Sequence, residues 1–316
     1  MEEKKALSTQ EVADILKVSK STIYDLIKKG KITSYKIGRK VRFTESDVQK
    51  FIAESKQTQS QLSPVVPAIT ASPFVPVFSS MPGSHGFVIC GQDLILDVLS
   101  NYMRSYGITA FRSYTGSYDS LTALYKGQVD VASAHLWDGD TDEYNVPYVK
   151  ALLPGIPAVI LRFISRWQGL YVQKGNPKKI CGWEDFRRCD LTMINREYGA
   201  GSRVLLDENL RKLGITGSSV PGYQHMAQSH LAVASAVSRG DADLGVGIEK
   251  IAGQVENIEF LPLKKERYDL VLKKEDLRRP EIMTLLEIIR SADFQREFAA
   301  VGGYDISGMG EFSAEI

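Results

Sequence analysis

YTGSYDSLTALYKGQVDVA, residues 114–132, is the stretch whose reading decides the fold. It reads as a strand end, a Gly-Ser turn, a helix, a glycine stop and a new strand. The same grammar returns as SHLAVASAVSRGDADLGVG, residues 229–247. Setting Ser117 on His230 brings Leu121 onto Ala234, Leu124 onto Val237, Gly127 onto Gly240 and Asp130 onto Asp243, without a gap. Two copies of one strand–loop–helix–strand unit point to two similar lobes, each offering a helix N-terminus to a shared cleft. The competing reading is ordinary α/β punctuation, in which helix, glycine and strand follow one another for local reasons alone.

The 316-residue chain has room for two or three domains, with a net charge of only +1. That charge is unevenly spread: residues 1–56 hold 13 Lys and Arg against 8 Asp and Glu, leaving 26 against 30 for the remainder. A basic head on a mildly acidic body points to a nucleic-acid contact at one end. The three cysteines, Cys90, Cys181 and Cys189, are unclustered, which argues for a reducing compartment and against a disulfide framework. With no apolar signal core and no membrane-length apolar run, the expected location is cytoplasmic, without a membrane partner.

In the head, Ser8 and Glu11 form a capping box before the apolar positions Val12, Ile15 and Leu16. Ser19 caps a second helix carrying Ile23, Leu26 and Ile27 up to Gly30. Apolar Ile32, Tyr35, Ile37, Val41 and Phe43 flank Gly38-Arg39 as a hairpin, and Thr44 caps a last helix through Val48, Phe51 and Ile52. Helix, turn, helix, basic hairpin, helix is a winged arrangement. The stretch LSTQEVADILKVSKSTIYDLIKKGKITSYKIGRKVRFTESDVQKFI, residues 7–52, resembles the excisionase/MerR-type DNA-binding domain. The resemblance implies that the second helix enters the major groove of double-stranded DNA. Lys20, Ser21, Thr22 and Tyr24 are then candidates for base contacts. Lys28, Lys36, Arg39, Lys40 and Arg42 would bind phosphate. One such domain has a small footprint, so a homodimer is expected.

Residues 57–84 carry five prolines among Ser, Thr and Gln and read as a linker, part flexible and part extended. Its Val65, Val66, Phe74, Val75, Val77 and Phe78 are apolar enough to pack on a neighbouring domain or subunit.

From residue 85 onward, strand and helix alternate, which argues for α/β lobes with mainly parallel sheets. Separate strands are expected near 258–262 and 268–272. Four helix N-termini follow strand ends: Gly91-Gln92-Asp93, Gly116-Ser117, residues 199–202 with Gly201 and Ser202, and Ser229-His230. Each supplies free backbone N–H groups, and together they would make a donor-rich cage for a small oxyanion or carboxylate.

The order of TGSYDSLTALYKGQVDVASAHLWD, RWQGLYVQKGNP, INREYGAGSRVLLDENL, SHLAVASAVSRGDADLGVGI and ERYDLVL resembles the type 2 periplasmic-binding-protein superfamily. The nearer likeness is to its molybdate-binding-like branch fused to a helix-turn-helix. It implies lobe I at about 85–166 and 269–316, lobe II at about 167–268, and hinge strands near 165–171 and 265–270. It also implies ligand contacts from Gln92, Ser117, Gln168, Ser202, Arg203, Ser229 and His230, with molybdate or tungstate as effector and no cofactor. Where many relatives place Gly-Ser-His-Asp, this chain has Cys90-Gly91-Gln92-Asp93, which leaves the ligand's identity open.

Plainer readings compete at several positions. Arg203 has Asp207 one turn along its helix as an ion-pair partner. His230 could simply cap, and His135 could line the cleft or fill a lobe boundary. Asp138, Asp140 and Asp142 lack the Gly and Glu of a calcium loop. The fold class expected is α/β, a winged helix-turn-helix at 1–56 followed by a two-lobed domain at 85–316. The function expected is a non-enzymatic DNA-binding regulator that senses a small anion. The rivals are an effector-free architectural DNA-bender and an enzyme using Cys90 beside the first loop.

Overall fold

The computed structural model describes residues 6–16, 18, 20–28, 32–37, 40–48 and 86–316. The chain divides into two units, Met1–Val77 and Phe78–Ile316. The expected linker, with Phe51 and Ile52, lies outside the described residues.

In the first unit, strand β1 (Ala6–Ser8) leads into helix α1 (Thr9–Leu16), followed by α2 (Lys20–Lys28), β2 (Tyr35–Ile37) and β3 (Lys40–Thr44). The capping box forms as read. The Ser8 amide donates to Glu11 Oε2 at 2.7 Å, and the Glu11 amide donates to Ser8 Oγ at 3.3 Å. Thr44 and Asp47 repeat the device before the helical residues 45–48: each amide donates to the other's side chain, at 3.1 and 3.2 Å. An addition to the expected wing is β1, which makes the hairpin three-stranded in the order β1-β3-β2. Its Leu7 sits opposite Phe43, and both join Val12, Ala13, Ile23, Ile32 and Val48 in one core.

The second unit begins with β4 (Phe87–Cys90), α3 (Ile95–Ser105), β5 (Ala110–Ser113), α4 (Ser117–Tyr125), β6 (Val131–Ala134) and α5 (Val146–Leu152). Then come β7 (Ala158–Gln173), β8 (Met193–Arg196), α6 (Gly201–Lys212), β9 (Met226–Ala227), α7 (His230–Arg239), β10 (Leu244–Ile248) and α8 (Glu249–Ala252). The chain closes with β11 (Ile258–Lys273), α9 (Pro280–Arg290), α10 (Ala292–Val301) and β12 (Phe312–Glu315). All these strands belong to one sheet, ordered β5-β4-β6-β11-β7-β10-β8-β9, with β12 also on β7.

Two expectations are corrected here. The sheet is mixed rather than mainly parallel: only β5-β4-β6 and β10-β8-β9 run parallel, whereas β7 pairs antiparallel with β10, β11 and β12. The two strands expected at 258–262 and 268–272 are one strand of 16 residues. Pro262, which has no N–H to give a ladder, is absorbed at a register shift between Pro262 and Lys264. A strand that long spans roughly 50 Å, so β7 and β11 tie the two parallel groups together.

Side-chain alternation builds a core on each face of each group. Phe87, Ile89 and Val131 face α3, α9 and α10, while Val88, Cys90 and Ala132 face α4 and α5. In the second group, Leu170, Val172 and Leu244 pack with α6, and Tyr171 packs with α7.

The sequence repeat is a structural one. Gly127 and Gly240 end their helices at φ +68° and +79°, a left-handed conformation that glycine adopts without penalty. Asp130 Oδ2 accepts from the Val88 amide at 2.8 Å, and Asp243 Oδ2 accepts from the Thr192 amide at the same distance. Each aspartate thus clamps the neighbouring parallel strand, which explains why both copies keep it.

Candidate ligand cleft

A cavity of about 400 Å³ opens where the strand ends of the first group meet the N-termini of α4 and α7. Six of the ten expected ligand residues line it: Gln92, Asp93, Gly116, Ser117, Ser229 and His230. Four do not. Gly201 lies directly behind His135, whose ring a Cβ at Gly201 would meet at 2.6 Å. Gln168 and Ser202 are fully buried, and Gln168 Oε1 and Ser202 Oγ have no hydrogen-bond partner among the described residues. Arg203 stacks on Tyr198, 3.7 Å from the ring centroid, donates to the Arg196 carbonyl at 2.8 Å, and approaches Asp207 at 3.6 Å. Its Nε and Nη2 have no hydrogen-bond partner among the described residues, and it does not line the cavity.

Local structure explains how the lining residues are aimed. Gly116 precedes α4 in extended backbone, and of the first-turn amides of that helix Tyr118's is taken by the Gly199 carbonyl. Ser117 Oγ accepts from the His135 amide at 3.2 Å, which leaves its own proton to donate. Ser229 caps α7 by accepting from the Ala232 amide at 3.1 Å. His230 Nδ1 is buried without a partner. Burial, then Arg196, Arg166 and His135, hold His230 well below its ordinary pKa, so it stands neutral at pH 7.

The floor holds residues the sequence left unremarked. Arg166, on β7, is pinned between Asp93 and Glu266 by two ion pairs. Burial alone would lower its pKa, but Glu266 and Asp93 more than offset this and it stays charged. Glu266 is likewise pushed up by burial yet held low by Arg166 and His135, whose Nδ1 lies 2.7 Å away. Tyr304 donates to Asp93 Oδ1 at 2.8 Å, and the Tyr268 hydroxyl lies 2.7 Å from Ser133 Oγ. Lys250, on α8, lies 3.9 Å from the Tyr304 ring centroid. Arg166 shares its place in the apolar run of residues 157–172 with Arg162 and Gln168, so the run alone does not single it out, and nothing local marks Lys250 or Tyr304.

Three hydrogen bonds run to the cleft residues from the β8 side of the sheet. Gln92 accepts from Arg196 at 2.7 Å and donates to Glu197 at 3.1 Å. The Tyr118 amide donates to the Gly199 carbonyl at 3.1 Å.

Cys90 does not reach the cavity. It is fully buried beneath α4, its Sγ 2.8 Å from Thr115 Oγ1 and 3.1 Å from Ser120 Oγ. Asp138 accepts from the Asp140 and Thr141 amides, and Asp142 from Trp137 and Lys264, so these carboxylates shape their own loop. Among the described residues no group of His, Cys, Asp and Glu is placed to hold a metal. No described helix is long and apolar enough to cross a membrane.

In the first unit, Lys20 and Thr22 are exposed in the first turn of α2, while Arg42 is half-buried on β3. Ser21, Tyr24 and Lys28 lie on α2, and Lys36 and Lys40 on the hairpin strands, but their side chains are outside the described set; so is Arg39 altogether.

A family model for the PBP superfamily domain matches residues 99–290, and one for a helix-turn-helix domain matches residues 6–56. The protein YvgK of Bacillus subtilis (strain 168) is 39% identical over 316 residues, the whole of both chains. A phosphate-bound substrate-binding protein from Clostridium perfringens has TM-score 0.50 at 14% identity, over 69% of this chain and 98% of its own. EhuB in complex with hydroxyectoine has TM-score 0.51 at 13% identity, over 72% and 92%. At such identities the structural likeness speaks for the fold alone.

Proposed function

Since this chain belongs to the PBP superfamily domain family and carries a helix-turn-helix domain ahead of it, we propose that it is a cytoplasmic, one-component transcriptional regulator. The first unit binds double-stranded DNA. The cleft of the second binds a small anion and changes the DNA affinity of the first. One observation carries this reading: the cavity between α4 and α7 lies where β7 and β11, the strands joining the two halves, run beneath it. A ligand there bridges both halves and favours the closed arrangement by its differential contacts.

Molybdate and tungstate are the effectors implied by the family resemblance, and phosphate occupies the same fold in the Clostridium perfringens protein. The first-turn amides of α4 and α7, with Ser117, Ser229 and His230, supply the donors. Gln92, Asp93 and Gly116 shape the near wall; Gln168, Gly201, Ser202 and Arg203 support His135 and the far loop. On DNA, Lys20, Ser21, Thr22 and Tyr24 read bases, and Lys28, Lys36, Arg39, Lys40 and Arg42 hold phosphates. Two copies acting on a repeated site would supply the footprint that one lacks.

The reading makes the protein a binder and not an enzyme, in keeping with the burial of Cys90 away from the cavity. Fluorescence anisotropy of genomic DNA fragments, with and without candidate anions, tests it. A reciprocal change in affinity is expected, since coupling acts equally on both ligands. DNA binding that no cleft ligand alters would sink it.

A further inference from the structure

The cavity is divided by chemistry. Its floor is polar, but its rim leaves large apolar groups in solvent: Leu94 is 61% exposed, Tyr114 62% and Leu231 49%. Ile248 and Ile251 continue the apolar wall inward. Exposed apolar groups gathered at the mouth of a concave site mark what the site is to cover. A tetrahedral oxyanion takes the room of roughly three waters, about 90 Å³. It would touch the floor and leave the rim bare in a cavity of about 400 Å³.

The charges point the same way. Arg166 is spent on Asp93 and Glu266. Lys250 makes no ion pair among the described residues, and burial and Arg166 lower its pKa against the pull of Asp93. Asp93 and Glu266 are both engaged by Arg166, and Glu266 by His135 as well, which leaves Lys250 as the lining cation without an ion pair among the described residues. A dianion would bring two further negative charges beside Asp93 and Glu266. A monoanion meets the one cation left for it.

Resting on the sensor reading above, we infer that the effector is an organic monoanion. A single carboxylate or similar head faces Lys250 and the N-termini of α4 and α7. An apolar body of aromatic or branched aliphatic character lies against Leu94, Tyr114 and Leu231.

Calorimetric titration of the full chain with benzoate, phenylacetate and isovalerate, against molybdate, tungstate and phosphate, tests the inference. At least one carboxylate should bind about tenfold or more tighter than any of the oxyanions. Lys250→Met should lose about tenfold or more of that affinity, Lys250→Arg should keep most of it, and Leu231→Ser should weaken it, with circular dichroism confirming that each variant folds. Tighter binding of an oxyanion, binding indifferent to Lys250→Met, or no binding by any carboxylate overturns the assignment. Anisotropy separates the two readings: a carboxylate that binds without changing DNA affinity removes the sensor and leaves the ligand class standing. An oxyanion that does change it removes the ligand class and leaves the sensor.

Discussion

The Tyr118 amide donates to the Gly199 carbonyl at 3.1 Å, and Gly116 lies against the same carbonyl. The loop before α4 and the loop before α6 thus meet backbone to backbone, with no side chain between them. A Cβ at Gly116 would stand 2.7 Å from the Gly199 oxygen and 3.0 Å from the Ala200 nitrogen.

Gly116→Ala should therefore hold the cleft ajar. The φ of −66° suits alanine, so the fold itself is spared. Ligand affinity should fall by about tenfold or more, and small-angle scattering should no longer report compaction on ligand addition. Unchanged affinity would show that closure does not need this contact.

Arg166→Met leaves Asp93 and Glu266 buried without their cation. Removing one partner of such a set costs about 3–5 kcal/mol. Urea denaturation should show a loss of that order, with partial recovery in Arg166→Met/Glu266→Gln.

Asp269 carries a pH dependence of known sign. Burial raises its pKa from 3.8 to about 6, against the hydrogen bond from Asn145 and the charges of Arg267 and Arg162. Between pH 4 and 6 the unfolded chain loses this proton while the folded chain keeps it, so rising pH lowers stability across that window. The change is on the order of 2–3 kcal/mol. Asp269→Asn should flatten that part of the melting-temperature profile.

Lys20 stands exposed at the start of α2. Lys20→Ala should weaken binding to the recognised sequence more than to other fragments, as loss of a base contact does. Equal loss on all fragments, with the slope of log affinity against log salt falling by about one, would make Lys20 a phosphate contact instead.

What could be read from the sequence was what short-range contacts decide. The capping box of Ser8 and Glu11 needs only its own four residues. The repeat was legible for the same reason. Gly127 and Gly240 stop helices at the same turn, and Asp130 and Asp243 occupy the same step into the next strand. Three of the four helix starts read this way then contribute to the cleft wall.

Tertiary structure alone decided the floor. Asp93, Arg166, Glu266 and Tyr304 are gathered from positions up to 211 residues apart, and no local pattern marks them as one group. It also decided the continuity of β11. Pro262 looks like a strand break until β7 is beside it to carry the bulge. And it decided which of two similar helix starts faces the cavity. Ser117 and Ser202 each stand in the first turn of a helix, but Ser117 lines the cavity whereas Ser202 is fully buried, and the His135 ring packs against Gly201, which has no side chain to keep it away.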